Sequence, residues 1–229
     1  MKPLVAVSPS VNMNEDEIML KRAYFSAVFN AGGIPMATDL SGANEIIKNA
    51  DGIILSGGGD IDAELTGDVA DKATQGQVSR LRDEYEFELM KYAVKNNIPV
   101  LGICRGMQVI GAYFGAHIIQ HMEGHKQTEE RNVPSHYVNV KDGTLLHKII
   151  GENRLKVNSY HHQAVGKGFR GTISAVSDDG FAEAVESDSE VFILGVQWHP
   201  ELLQEYREHQ RIFSGFMKAA AIKGGLLIK

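Results

Sequence analysis

Short apolar runs alternate with stretches of helical periodicity through the first half of the chain. Residues 4–7 form a brief apolar run that reads as a first buried strand. Asn14, with Glu17 three positions later, resembles a capping box, and Leu20, Tyr24, Ala27 and Val28 then fall on one helical face. Ala31-Gly32-Gly33 stops that helix. Residues 34–37 predict a second strand, residues 44–49 a short helix, and residues 52–55 a strand that ends in Ser56-Gly57-Gly58-Gly59-Asp60. Residues 61–79 are polar and weakly patterned, as expected of a long loop. Helical spacing resumes at Arg80, with Tyr85, Leu89 and Tyr92 at i, i+4 and i+7, and stops near Asn96-Asn97. The apolar run 98–103 follows and leads into another helical pattern.

The second half is richer in strands, with candidates at 137–140, 154–157, 172–176, 181–186 and 191–196 and a turn at Asp179-Gly180. A closing helix over about 202–221 carries Ile212, Phe213, Phe216 and Met217 as an apolar stripe. Residues 122–134 are polar and read as an exposed excursion. Repeated strand–helix units with short, continuously apolar strands predict an α/β fold, a mainly parallel sheet covered on both faces. Sites in such sheets form at the carboxyl ends of the strands. No internal repeat or linker divides the chain, so residues 1–229 are expected to form one domain.

Composition narrows the function classes. With 43% hydrophobic residues, the 229-residue chain is apolar enough to bury a substantial core. The net charge of −6, without a basic run, gives no electrostatic footprint for nucleic acid. The apolar stretch at the N-terminus is too brief for a signal sequence, and no segment reaches membrane-spanning length. The single cysteine cannot form an internal disulfide. These features together predict a cytoplasmic protein with no membrane or nucleic-acid partner.

That cysteine, Cys104, sits in Leu101-Gly102-Ile103-Cys104-Arg105-Gly106-Met107-Gln108, where a strand pattern meets a helix pattern. Gly-x-Cys-x-Gly is the sulfur version of the Gly-x-Ser-x-Gly elbow, a turn that lifts the nucleophile clear of the backbone. A lone cysteine is otherwise a small buried hydrophobe. To react it needs a base, because only the thiolate attacks efficiently. Of nine histidines, His199 is best placed: it follows the strand pattern of Gly195-Val196-Gln197-Trp198, and Glu201, two residues on, can orient its ring. Trp198 reads as packing beside the site. Gly57-Gly58-Gly59 taken alone is a plain turn, and His161-His162 a structural pair or site-facing groups. Arg82, Asp83 and Glu86 read as helix-surface or loop-anchoring charges. His117, His121 and His125 would share a helical face, but Ile118-Ile119 favours a strand that would separate them, which argues against a metal there.

Several motifs now stand in one order: Leu55-Ser56-Gly57-Gly58-Gly59-Asp60-Ile61, Arg82-Asp83 with Glu86, the Cys104 elbow, Val157-Asn158-Ser159-Tyr160-His161-His162-Gln163, and Leu194-Gly195-Val196-Gln197-Trp198-His199-Pro200-Glu201. Together they resemble the class I glutamine amidotransferase-like superfamily, in its γ-glutamyl-γ-aminobutyrate hydrolase (peptidase C26) branch, over nearly the whole chain. The resemblance implies a three-layer αβα, flavodoxin-like fold with antiparallel strands added in the C-terminal half. It implies a Cys104, His199 and Glu201 triad, with backbone N–H groups of Gly58 and Arg105 as the oxyanion hole. It implies that Gln108, Ser159, His161, His162 and Gln163 line a γ-glutamyl pocket. The expected reaction is hydrolysis of a γ-glutamyl amide through a glutamyl thioester, with no metal or organic cofactor. The implied partner is a small γ-glutamyl substrate, with room for a homodimer.

The chain departs from the branch where Asp62-Ala63-Glu64-Leu65-Thr66-Gly67-Asp68 replaces a Pro-x-x-Tyr-Gly segment, so the acyl half of the substrate is better defined than the amine. The same residues also suit a glutaminase subunit that feeds ammonia to a separate synthase, or a sensor that has kept the fold without the reaction.

Overall fold

The computed structural model describes residues 1–40 and 47–226. Residues 44–46 of the helix expected over 44–49 lie outside the described residues. Strands β1 (Leu4–Ser8), β4 (Ile34–Ala37), β5 (Gly52–Leu55), β6 (Val100–Ile103) and β13 (Ile193–Val196) pair in parallel in the order β4-β1-β5-β6-β13. Beyond β13 the sheet turns antiparallel through β12 (Ala182–Glu186), β11 (Thr172–Ser177), β8 (His136–Val140) and β9 (Arg154–Val157). The short strands β7 (Ile118–Ile119) and β10 (Ala164–Val165) pair with each other, and β10 also pairs with β12.

Alternation along the strands sends side chains into two separate cores, as expected of a sheet covered on both faces. Val5, Val7, Ile54, Leu101 and Ile103 pack with Tyr24 and Val28 of helix α1 (Arg22–Asn30) and with Ile212, Phe213 and Phe216 of helix α5 (Arg207–Lys223). Ala6, Ile53, Leu55 and Val100 face the other way. They meet Leu89 and Met90 of helix α2 (Arg80–Asn96) and Met107 and Ile110 of helix α3 (Arg105–Tyr113). The result is three layers, αβα.

Two local expectations need correction. Asn14 and Glu17 do not open a helix. The side-chain carbonyl of Asn12 instead accepts from the backbone N–H groups of Asp16 and Glu17, at 3.1 and 3.3 Å, and closes a hairpin between β2 (Ser10–Val11) and β3 (Ile18–Met19). Asn competes with helix formation in this way because its short amide reaches nearby backbone donors. Helix α1 starts only after Lys21. The second difference is an unforeseen helix, α4 (Leu145–Ile150), capped by Thr144 Oγ1 and ended by the left-handed Gly151. Six residues are too few for a period to stand out in sequence. Within the expected 61–79 loop, residues Ala63–Thr66 form a 3-10 turn capped by Asp62.

Trp198 is fully buried, and its indole N–H donates to His209 Nδ1 of α5 at 3.3 Å. His209 Nε2 donates in turn to the Lys156 carbonyl at 3.2 Å. Burial is the main cause that brings the His209 pKa down to about 4, against about 6.5 in an unfolded chain. The neutral ring therefore belongs to the folded state. Its contribution to stability is complete above pH ~6.5 and is lost as pH falls toward 4. Urea unfolding between pH 7 and 4.5 should show stability falling with acid, and His209→Gln should flatten that slope. Parallel slopes for the two proteins would show that His209 does not carry the effect.

Candidate active site

Strand β6 ends at Ile103 and helix α3 begins at Arg105, so the reversal falls on one residue, Cys104. Its backbone has φ +55° and ψ −106°, a left-handed conformation that is strained for any side chain but glycine. Cys104 is held on both sides: its N–H donates to the Val196 carbonyl at 2.8 Å, and its carbonyl accepts from Met107 N–H at 3.0 Å. The helix that follows lies tight against β5. A Cβ on Gly106 would stand 2.1 Å from the Leu55 carbonyl oxygen, so that position must be bare.

Strand β13 runs beside β6, with Val196 in register with Ile103, and delivers His199 to the same sheet edge. Asn158 grips the His199 backbone: its Oδ1 accepts from His199 N–H at 2.8 Å, and its Nδ2 donates to the His199 carbonyl at 3.4 Å. His199 Nδ1 lies 2.7 Å from Glu201 Oε1, and the ring and the Cys104 side chain line the same cleft. All three residues are buried. Burial pulls the His199 pKa down, but the adjacent Glu201 carboxylate and the Cys104 sulfur outweigh it and raise the value to about 10. The imidazole is thus held in its charged form.

The glycine loop is positioned by charges; of the helix-surface and loop-anchoring readings open for Arg82, Asp83 and Glu86, the structure fits the second, with the anchors buried. Arg82, Asp83, Glu86 and Arg105 are all buried. Arg105 pairs with both Glu86 and Asp83, while Arg82 Nε reaches Glu86 Oε1 at 2.9 Å. Arg82 also donates to the carbonyls of Ser56 (2.8 Å) and Gly57 (3.2 Å), and Ser8 Oγ donates to Glu86 at 2.6 Å. A Cβ on Gly58 would overlap Arg82 Nη1 at 2.0 Å, so the loop can lie over the guanidinium only as glycine. Tyr24 completes the cradle, its hydroxyl oxygen accepting from Gly57 N–H at 2.9 Å. Burial would raise the Glu86 pKa, but Arg105 and Arg82 hold it below the usual carboxylate range.

A cleft of about 460 Å³ opens over these groups, lined by Cys104, His199, Tyr24, Gly57, Gly58 and Gly59, with the more exposed Lys21, Arg131 and Tyr160 at its mouth. A larger groove, about 880 Å³, lies by Asn97 and Phe192 at the opposite, amino ends of β6 and β13 and is lined by no cysteine or histidine. The chemistry therefore belongs to the smaller cleft. Arg131 sits 4.9 Å from the Tyr160 ring centroid, and the Tyr160 hydroxyl donates to the Glu129 carbonyl. Burial, then the nearby Arg131 cation, bring the Lys21 ammonium below its ordinary range.

The other residues expected at the pocket lie behind or beside this cleft rather than among its lining. Gln108 donates to the Gln163 carbonyl at 3.4 Å, and Ser159 Oγ to the His125 carbonyl at 2.9 Å. His162 Nε2 lies 3.0 Å from Asp60, and Gln163 donates to Gln120 at 3.1 Å. His161 faces Glu183. Sequence reasoning missed Lys21, Tyr24, Asn158 and Arg131 as site residues. Tyr160 and Asn158 lie inside a motif already singled out, whereas Arg131 sits in the polar excursion with no local signal. His117, His121 and His125 separate as the strand at Ile118–Ile119 requires: His117 meets Asp68, His121 meets His162, and His125 meets Glu183.

Two outcomes are expected. Glu86→Gln leaves two buried guanidinium groups short of charge and should lower the unfolding free energy by about 3–5 kcal/mol. A loss under ~1 kcal/mol in urea titration would reduce the network to the rank of a surface pair. In an NMR titration the His199 ring should deprotonate near pH 10, and Glu201→Gln should move that midpoint to lower pH; an unmoved midpoint would rule out Glu201 as its cause.

Comparisons with known proteins identify the family of the chain. The family model for peptidase C26 matches residues 3–201. The chain is 34% identical over 226 residues to a Schizosaccharomyces pombe protein whose name places it among glutamine amidotransferases, covering 94% of this chain and 85% of that one. It is 32% identical over 222 residues to the γ-glutamyl-γ-aminobutyrate hydrolase PuuD of Escherichia coli K12, covering 87% and 85%. In fold it is similar to a glutamine amidotransferase from Thermotoga maritima, with a TM-score of 0.64 at 15% identity, covering 97% of each chain. The chain belongs to the peptidase C26 family of glutamine amidotransferase-like hydrolases.

Proposed function

We propose that this protein hydrolyses γ-glutamyl amide bonds through a glutamyl thioester on Cys104, with γ-glutamyl-γ-aminobutyrate or a related γ-glutamyl amine as substrate. The observation that carries the reading is the meeting of Cys104, on its strained turn, with the His199–Glu201 pair in one cleft. The Cys104 sulfur attacks the side-chain carbonyl carbon, and negative charge develops on the oxygen. Arg105 N–H, the first of helix α3 and so outside its hydrogen-bond ladder, and Gly58 N–H receive that charge. His199 passes its proton to the departing amine as the C–N bond breaks. The neutral ring then takes a proton from water, whose oxygen attacks the thioester, releasing glutamate and restoring the protonated ring beside the Cys104 sulfur. Glu201 keeps the ring oriented and stabilises its cation throughout.

Lys21 and Arg131 support an amine half that carries a carboxylate, as γ-aminobutyrate does. They stand at the mouth, where the leaving group would extend away from Cys104.

Purified protein with Cys104 reduced should release amine from γ-glutamyl-γ-aminobutyrate faster than from the uncharged γ-glutamyl ethylamide. Cys104→Ser should cost at least ~10⁴-fold in kcat. Arg131→Ala should raise KM for the anionic substrate and leave the uncharged one unchanged. The proposal fails if no γ-glutamyl compound turns over, or if Cys104→Ser retains the rate.

A further inference from the structure

Behind the cleft wall, a second group of ionisable side chains converges in the interior. His125 comes from the polar excursion, His161 from the segment between β9 and β10, and Glu183 from β12. One ligand atom from each of the three lies within 4.8 Å of the other two. Glu183 Oε1 is the focus: His125 Nε2 is 3.0 Å away and His161 Nε2 3.5 Å. The side chains of His125, His161 and Glu183 are 4%, 2% and 0% exposed.

The outer nitrogens reveal what the inner ones carry. His161 Nδ1 lies 3.1 Å from the Gln163 carbonyl oxygen. A carbonyl has no proton to give, so Nδ1 must hold the hydrogen. His161 Nε2 faces Glu183 Oε1 across 3.5 Å and has no hydrogen-bond partner. Glu183 Oε2 likewise has no partner. Buried polar atoms left unpaired in this way are costly unless a further group satisfies them. His125 is oriented alike: its Nδ1 is 2.8 Å from Asp179 Oδ2, and Asp179 is itself held by the Ser177 hydroxyl. A histidine whose outer nitrogen is tied to a carbonyl or carboxylate is the usual arrangement around a bound metal.

We infer that His125, His161 and Glu183 form a binding site for a divalent transition-metal ion, with zinc the natural occupant. Two imidazoles and one carboxylate suit zinc rather than calcium or magnesium, which prefer all-oxygen sites. Metal bonds of about 2.0–2.1 Å in a tetrahedron put neighbouring ligand atoms ~3.3–3.4 Å apart, close to the 3.0 and 3.5 Å found here. His136 borders the site, its Nε2 3.6 Å from Glu183 Oε1 and also without a partner. The metal's role is positional. His125 and His136 bracket Arg131 in sequence, and the His125 carbonyl accepts from Ser159 Oγ beside Tyr160. An ion there would pin the excursion and the Asn158–Gln163 segment to the sheet, and so hold Arg131 and Tyr160 at the cleft.

The test is calorimetric titration of chelator-treated full-length protein with zinc, together with its melting temperature. One saturable site per chain and a raised melting temperature are expected, both unchanged in Cys104→Ser, which removes the thiol as a competing ligand. His161→Phe and Glu183→Gln should each weaken zinc at least ~100-fold, and Asp179→Asn about 10- to 100-fold. Asp179 is half-exposed, so its variant stays informative should the buried ones not fold. Absence of saturable binding, loss of binding in Cys104→Ser, or wild-type affinity in Asp179→Asn would each overturn the inference.

Discussion

The buried charges of Arg82, Asp83, Glu86 and Arg105 hold the rest of the site in place. Formally they balance, two cations against two anions, which allows them to lie together out of water. Their arms reach in different directions. Arg105 belongs to the helix that leaves the Cys104 elbow, Glu86 and Arg82 to the preceding helix, and Arg82 grips the carbonyls of the glycine loop. The elbow and the glycine loop are therefore tied to one another through α2. Without the network, two loops from different strands would have to find their relative position by backbone packing alone.

That tie explains how a strained residue can persist. A left-handed cysteine costs on the order of 1–3 kcal/mol and survives only where its neighbours leave it no alternative. Here the sheet holds the Cys104 N–H, the helix holds its carbonyl, and the Arg105 side chain anchors the next residue. The His199 side is built in the same spirit: Asn158 holds the main chain on both sides while Glu201 holds the ring. The Glu201 carboxylate and the Cys104 sulfur outweigh burial and keep the imidazole protonated.

The cleft mouth is assembled differently. Its polar groups come from the turn before α1 and from the excursion after β7, segments with few buried apolar side chains of their own. What fixes them is polar: the Tyr160 hydroxyl on Glu129, Arg131 against the Tyr160 ring, and Asn158 reaching the Arg131 carbonyl at 2.6 Å. The cleft thus has a centre fixed by buried charges and a rim anchored separately by polar contacts.

Much of this was legible in the linear chain because it rests on local physics. Short apolar runs gave the parallel strands, glycines flanking Cys104 marked the turn, and a histidine with a following carboxylate after another apolar run marked the second half of the site. Local hydrogen bonding at Asn12 defeated the expected capping box, and α4 was too short to register. The burial of Arg82, Asp83 and Glu86 could not be read, because a charged residue is buried only when its counter-charge arrives from elsewhere, here from Arg105 on the next helix. Nor could the convergence of His125, His161 and Glu183, which lie far apart in sequence and meet only because β12 pairs beside β13 and the excursion folds back over it. Periodicity determines which residues face inward along each element. Which ionisable groups then face each other is decided by how the elements pack, since Coulombic and hydrogen-bonding forces act over a few ångströms of space irrespective of separation along the chain.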